Sequence, residues 1–314
     1  MTSLPKINTP VSMQTLDRKI TELHDKSLLP PELVNLVSGI ARIQLDAESF
    51  VHFPGAEPLR LPPGLASAAA GPGQRAQGSP ILPAASFPLD LDLASKLVPR
   101  ILATLQRETP TLVPVVRELE EMLLAGPESL ETACREALHR TRPDRTGGES
   151  CFDLWEKRHP ESPNTLFFVA HSAVMPSLAV AGRLLGKEHD NERVWEHGHC
   201  PVCGSLPLMG RLLDGEGARL HTCSFCAFEY RVPRMNCPFC LADRGDGAEY
   251  LASDEEPGYL LEICAECKTC FKLADFRQFD RPFIASLDDL SSLMLDMRAR
   301  QMLFDRLTPS AWGF

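Results

Sequence analysis

The sequence predicts an α+β chain: a mainly helical N-terminal part, a cysteine-rich region of short strands, and one further helix. Three observations predict it. Apolar residues recur near helical period through most of the first 190 residues. That period disappears after Trp195, where glycine, proline and cysteine rise and short β-like runs take over. Helical spacing returns from Leu287.

In chain order, Thr15 to Leu23 suits a short helix. Pro30-Pro31-Glu32-Leu33 reads as a helix start, because proline is tolerated in the first turn. Leu33, Leu36, Val37, Ile40, Ile43 and Leu45 follow at helical spacing. From His52 to about Pro88 the chain is rich in Pro, Ala and Gly, and the 52–88 stretch reads as an extended loop rather than a packed element. Leu91, Leu93, Leu97, Val98, Ile101, Leu102 and Leu105 make one apolar face. Leu112 to Leu124 and Glu128 to His139 continue the helical pattern, and Arg140 to Gly148 is a charged loop. Thr165 to Leu185 carries a single charge, Arg183, and is long enough to cross a membrane. It also contains His171, Ser172, Pro176 and Ser177, so a buried helix kinked or divided at Pro176 is expected, not a span.

Beyond Trp195 the strand candidates are Leu206–Met209, Arg219–Thr222, Phe228–Val232, Tyr259–Ile263 and Thr269–Leu273. The final helix is expected over Leu287 to Leu303, with Ser286 and Asp289 as a capping-box start. The domains follow: helical over 1–190, a first ribbon over 191–230, a second over 231–285, and a helix and tail over 286–314.

Nine of the eleven cysteines lie between Cys200 and Cys270. They form four CxxC pairs, Cys200/Cys203, Cys223/Cys226, Cys237/Cys240 and Cys264/Cys267, with Cys270 three residues on. A CxxC turn holds two thiolates about 3.5–4 Å apart, the spacing one tetrahedral metal needs from two of its four ligands. Two turns close a four-thiolate site, so four turns close two. Sequential pairing puts the first four cysteines on one ion and Cys237, Cys240, Cys264 and Cys267 on another. A cross-braced arrangement, first turn with third, is the rival, and the short interval between Cys226 and Cys237 favours a linker between two ribbons. Ribbons of this size bury too little to stand alone, so metal supplies folding energy. Gly204 after Cys203, and proline after Cys200 and Cys237, suit the knuckle turns of rubredoxin-like and zinc-ribbon-like folds. Four thiolates accept iron or zinc, and spacing does not choose between them.

Cys270 shares a two-residue interval with Cys267 and is a rival ligand. Its alternation with Phe271, Lys272 and Leu273 places it in the outgoing strand instead. His197, His199 and His221 lie near the cysteines but are not needed with all four pairs intact. Cys134 and Cys151 stand alone and read as small buried hydrophobes.

A net charge of −10 disfavours nucleic acid. The N-terminus has no basic run followed by an apolar one, so a cytoplasmic protein with reduced or metallated thiols is expected. No nucleophile elbow, phosphate loop or dinucleotide fingerprint is present, and a saturated four-thiolate site has no open position; the chain does not read as an enzyme.

The motifs resemble those of the formate dehydrogenase accessory protein FdhE family. The resemblance rests on Cys200-Pro-Val-Cys-Gly-Ser-Leu-Pro, Leu220-His-Thr-Cys-Ser-Phe-Cys, Arg234-Met-Asn-Cys-Pro-Phe-Cys, Cys264-Ala-Glu-Cys-Lys-Thr and Leu287-Asp-Asp-Leu-Ser-Ser-Leu-Met-Leu-Asp. It covers Trp195 to about Arg300. It implies two tandem rubredoxin-like folds, two metal ions per chain with iron favoured, and the four CxxC pairs as ligands, Cys270 excluded. It also implies a cytoplasmic role in biogenesis of respiratory formate dehydrogenase, through binding of that enzyme's catalytic subunit. The competing readings are a rubredoxin-like iron electron carrier and a zinc-ribbon nucleic-acid binder.

Overall fold

The structure is a computed structural model that describes residues 7–25, 28–140, 150–190, 192–213, 217–243, 245 and 249–312. The charged loop expected at Arg140–Gly148 falls, after Arg140, outside the described residues. The chain forms two compact units. One is built from Val11–Ala69, Ala84–Leu184 and Trp312, the other from residues 7–10, Ala70–Pro83 and Leu185–Ala311.

The helices before the cysteines are α1 (Met13–His24), α2 (Pro31–Ala47), α3 (Leu65–Ala68), α4 (Pro72–Ala76), α5 (Leu91–Glu108), α6 (Val113–Leu124), α7 (Pro127–Arg140), α8 (Cys151–Arg158) and α9 (Thr165–Leu185). Their starts are chemically marked. The Ser12 hydroxyl accepts from the Thr15 N–H at α1, and Pro31 opens α2. Asp90 caps α5 by accepting from the Leu93 N–H at 2.8 Å, and its second oxygen accepts from the His52 N–H. α5 buries Leu93, Leu97, Val98, Ile101, Leu102 and Leu105, the face its spacing predicts. The long apolar helix α9 runs through Pro176 without dividing. It belongs to the one described stretch, Thr165–Glu188, that is long and apolar enough to cross a membrane, and 94% of its apolar window is buried inside the protein. His171 lies there, stacked on Phe167 at 5.1 Å, and burial lowers its pKa to about 4.

The 52–88 stretch is packed, contrary to the sequence expectation of an extended loop. It carries the two short helices α3 and α4, and buries Phe53, Ile81, Leu82, Ala84 and Phe87. The Ile81 and Leu82 N–H groups donate to the Pro201 and Val202 carbonyls at 2.8 and 2.9 Å. Its composition hides this: scattered apolar residues with no period anchor the segment through backbone bonds to a distant turn.

Six strands follow: β1 (Pro207–Leu212), β2 (Arg219–Cys223), β3 (Glu229–Val232), β4 (Glu249–Ala252), β5 (Tyr259–Cys264) and β6 (Thr269–Ala274). Two three-stranded antiparallel ribbons are joined into one sheet, in the order β3-β2-β1-β6-β5-β4. The seam is the parallel pair β1·β6, with Gly210 opposite Leu273 and Arg211 opposite Ala274. A Cβ on Gly210 would stand 2.4 Å from Leu273 Cδ2 and 3.0 Å from Phe271 Cε1, so a larger residue there would force buried side chains at the seam to shift. Edge-to-edge pairing buries one open edge of each ribbon. β4 is not among the five strand candidates of the sequence, because an exposed edge strand shows no apolar alternation.

The final helix is divided. α10 (Ala285–Ser291) and α11 (Leu293–Gln301) meet at Ser292. Ser286 does not cap α10; instead Asp288 Oδ2 accepts from the Ile284 N–H. Asp289 is buried in a charge cluster: Lys272 Nζ and Arg306 Nη2 each stand 2.7 Å from its Oδ1, and both cations also reach Asp296. Burial opposes ionisation of Asp289, but the Lys272 and Arg306 charges hold its pKa below the ordinary carboxylate value. Leu295 and Ala299 pack on Leu208, Met209, Tyr259 and Leu261 of the sheet, whereas Met297 and Met302 point to solvent.

Candidate metal centres

Each CxxC pair sits in a turn of one construction. The Cys200 N–H donates to the Ser205 carbonyl at 2.8 Å, and the Gly204 N–H to the Cys200 carbonyl at 2.9 Å. Cys237 repeats this with Ala242 and Leu241, at 3.0 and 3.1 Å. Lys268 N–H donates to Cys264 O at 2.9 Å, and Cys223 N–H to Phe228 O at 2.9 Å. The residue after each second cysteine is left-handed: Gly204 (φ 80°), Ala227 (55°), Leu241 (63°) and Lys268 (58°). Only one of the four is glycine. Turning the chain back after the second sulfur therefore holds three side-chain-bearing residues in a conformation that costs about 1 kcal/mol each.

The turns aim their sulfurs at two points. Cys200, Cys203, Cys223 and Cys226 form one group and Cys237, Cys240, Cys264 and Cys267 another, with all four sulfurs in each within 4.8 Å of one another. Contacts across the turns are Cys200–Cys226 at 3.8 Å, Cys203–Cys223 at 3.4 Å, Cys237–Cys267 at 3.7 Å and Cys240–Cys264 at 3.7 Å. A tetrahedral ion with metal–sulfur bonds of about 2.3 Å needs sulfurs about 3.8 Å apart. The donor sets thus fit one ion each, and their chemistry suits zinc or iron.

Backbone amides support the sulfurs. Val202 N–H points to Cys200 Sγ at 3.4 Å, Phe225 N–H to Cys223 Sγ at 3.3 Å, and Phe239 N–H to Cys237 Sγ at 3.5 Å. The Thr269 hydroxyl lies 2.9 Å from Cys267 Sγ. Burial opposes ionisation of Cys264, but the Cys267 and Glu266 amides and neighbouring thiols bring its pKa down to about 7.

The groups differ in exposure. All four cysteines of the first are buried. In the second, Cys240 is exposed and Cys267 half-buried. Leu241, after Cys240, is exposed; next to Cys267, the Lys268 carbonyl accepts from the Asp305 N–H and Lys268 Nζ lies over the Phe304 ring, and Leu303, which precedes Phe304, is 84% exposed.

The remaining candidates lie outside both groups. Cys270 is in β6 opposite Ile263, its N–H donates to Asp305 O at 2.9 Å, and burial raises its thiol to about 11. We expect Cys270→Ala to keep both metal equivalents in elemental analysis and Cys264→Ala to lose one; the reverse result would place the turn three residues later. His221 accepts from Arg219 Nε at 2.9 Å and packs on Phe271. His199 Nε2 is 2.7 Å from the Gly78 carbonyl, and His197 packs against Gly78. Cys134 is buried as expected, with its thiol raised to about 12; Cys151 is only half-buried, contrary to expectation, and burial together with Glu136 raises its thiol.

Sequence reasoning missed one feature of this region. Arg219 of β2 and Glu262 of β5 form a two-pronged ion pair at 2.9 and 2.6 Å, buried at 0% and 1% side-chain exposure. The pair spans the seam between the ribbons. Glu262 inside the apolar run Tyr-Leu-Leu-Glu-Ile is the only signal for it in the sequence.

Residues 199–234 match the model of the FdhE central domain. The FdhE homologue of Citrobacter koseri is 28% identical over 233 residues, 74% of this chain and 68% of that protein. The homologue of Aquifex aeolicus is 29% identical over 156 residues, 49% of this chain. That match spans about half the relative's length, 54%. In fold, the chain is similar to the crystal structure of the FdhE protein from Pseudomonas aeruginosa, with a TM-score of 0.59, 21% identity, and coverage of 98% of this chain and 99% of that one. The chain is thus similar to FdhE proteins in sequence over up to 74% of its length and in fold, and its residues 199–234 match the FdhE central domain.

Proposed function

We propose that this chain is a cytoplasmic accessory factor in formate dehydrogenase biogenesis, binding that enzyme's catalytic subunit through a scaffold held by two metal ions. Cys200, Cys203, Cys223 and Cys226 bind one ion, and Cys237, Cys240, Cys264 and Cys267 the other. The reading rests on the two closed four-sulfur groups, together with the FdhE relatives. Four thiolates fill a tetrahedral ion and leave no position for substrate or water, so the metal supports a binding surface and not a hydrolytic reaction. Iron is the metal the family resemblance favours, and elemental analysis of anaerobically prepared protein tests it.

As domains of this scaffold we propose helices over 1–190, ribbons over 191–230 and 231–285, and the C-terminal segment over 286–314, with Ala70–Pro83 packed in the same compact unit as the ribbons. The exposed Cys240 and Leu241 support the second ribbon as the client-facing one. Capture of the formate dehydrogenase catalytic subunit by tagged wild-type chain is the test. Cys264→Ala/Cys267→Ala should lose at least about tenfold of that capture, about 1.4 kcal/mol. Undiminished capture would remove the second ribbon from the interaction.

A rubredoxin-like electron carrier is the second reading, favoured by the exposed Cys240 alone. Reversible iron oxidation and reduction in a chain that captures no subunit would select it.

A further inference from the structure

The two outer edges of the sheet are finished differently. On β3 the outward backbone groups are taken up within the chain. Asn8 Nδ2 donates to the Glu229 carbonyl at 2.9 Å and the Glu229 N–H to Asn8 Oδ1 at 2.7 Å. The Trp195 N–H donates to the Arg231 carbonyl at 2.8 Å. On β4 no such cover is present among the described residues, and Glu249, Tyr250 and Ala252 are exposed.

The direction of the β4 backbone follows from its neighbours. The Asp275 N–H donates to the Gly258 carbonyl at 2.8 Å, so Gly258 faces β6. By alternation Leu260 and Glu262 face β6 too, and Leu261 and Ile263 face β4. Their partners are Leu251 and Glu249. The N–H and C=O groups of Tyr250 and Ala252 therefore point away from the sheet, ready to pair with another strand.

Charge selects the kind of strand. From Asp243 to Glu256 the sequence holds six acidic residues and one arginine. Glu249, Asp254 and Glu255 are exposed. These carboxylates repel a second copy of this acidic chain, which guards the edge against self-pairing, and attract a cationic segment. The register Glu249↔Ile263 also sets the start of β4 beside Cys264 of the second metal turn.

We propose that β4 is the docking edge for an extended, basic segment of a partner polypeptide, which joins the sheet as a further strand. The proposal rests on the reading of the chain as a client-binding factor and specifies the chemistry of the client segment.

The probe is a fluorescent peptide of alternating lysine and valine, titrated against the metal-loaded full chain. Ala252→Pro removes an outward N–H and leaves the β4–β5 ladder intact; it should weaken binding at least about tenfold. Glu249→Lys/Asp254→Lys should weaken it by a similar factor and carries the comparison if the proline variant fails to fold. Methylating alternate backbone nitrogens of the peptide should abolish binding in one parity only. Equal binding of both methylated peptides, or unchanged affinity of a folded Ala252→Pro chain, would overturn the proposal. Capture of the formate dehydrogenase catalytic subunit separates the two readings. Equal capture by wild type and Ala252→Pro overturns the docking edge and leaves the proposed function standing. Absence of capture by wild type overturns the proposed function, and the peptide titration still decides the edge.

Discussion

A chelator added to the metal-loaded chain should remove metal in two steps, and the first should empty Cys237, Cys240, Cys264 and Cys267. The two sulfur groups have similar spacing but different surroundings. At the second, Cys240 is exposed and Cys267 half-buried, so a competing ligand reaches the sulfurs without any opening of the fold. At the first, all four cysteines are buried, and the turn Cys200–Cys203 is covered by the segment Ala70–Pro83. Ile81 and Leu82 are bonded to Pro201 and Val202, and Pro80 packs on Gly204 with its Cγ 3.2 Å from where a Cβ would be. Release there requires local opening, and each 1.4 kcal/mol of opening energy slows it about tenfold. The two phases should differ by at least that factor, read from the absorbance of the chelator complex. In Cys264→Ala/Cys267→Ala only the slow phase should remain. A single rate, or a fast phase that survives in this variant, would show that exposure does not control release.

Replacing Arg219 by methionine should cost about 3–5 kcal/mol in urea unfolding of the metal-loaded chain. The guanidinium donates to Glu262 through two nitrogens, to His221 and to the Arg234 carbonyl, and lies over the Phe271 ring at 5.5 Å. Burial is deep enough to pull its own pKa down to about 10. Without it, the Glu262 carboxylate stays buried and loses the Arg219 cation. The double variant Arg219→Met/Glu262→Leu removes both charges and should recover most of the loss, because two buried ions gain little net stability over apolar groups of similar volume. A single-variant cost below about 1 kcal/mol would mean that the pair is solvated in solution, as exposed pairs are. The same measurement tests the seam, since Arg219 and Glu262 lie on opposite sides of it.

The sulfur groups were legible in the sequence because a CxxC turn is local. Two residues between cysteines bring two sulfurs to one point whatever the rest of the chain does, and the strand runs around Cys223 and Cys264 deliver one turn to the next. Cys270 was assignable for the same reason: strand alternation takes it away from the turn that ends at Lys268. The helices were legible where one face is apolar, as in α5, and where a proline or serine marks the start.

Contacts between distant residues were decided by the tertiary structure alone. Nothing in Gly210 or Leu273 announces that β1 and β6 pair in parallel; the seam forms because each ribbon has an open edge and joining them satisfies both. The burial of Asp289 follows from Lys272 and Arg306, Lys272 also donates to the Asp289 and Ser292 carbonyls at the break, and Asp288 is held by the Tyr259 hydroxyl as well as the Ile284 N–H; a local pattern cannot bring these groups together. The same holds for the stretch 52–88, whose Ile81 and Leu82 find their backbone partners about 120 residues away at Pro201 and Val202. Spacing along the chain determines which two sulfurs each turn presents; packing across it determines which turns face one another, and which of the two sulfur groups is covered and which meets the solvent.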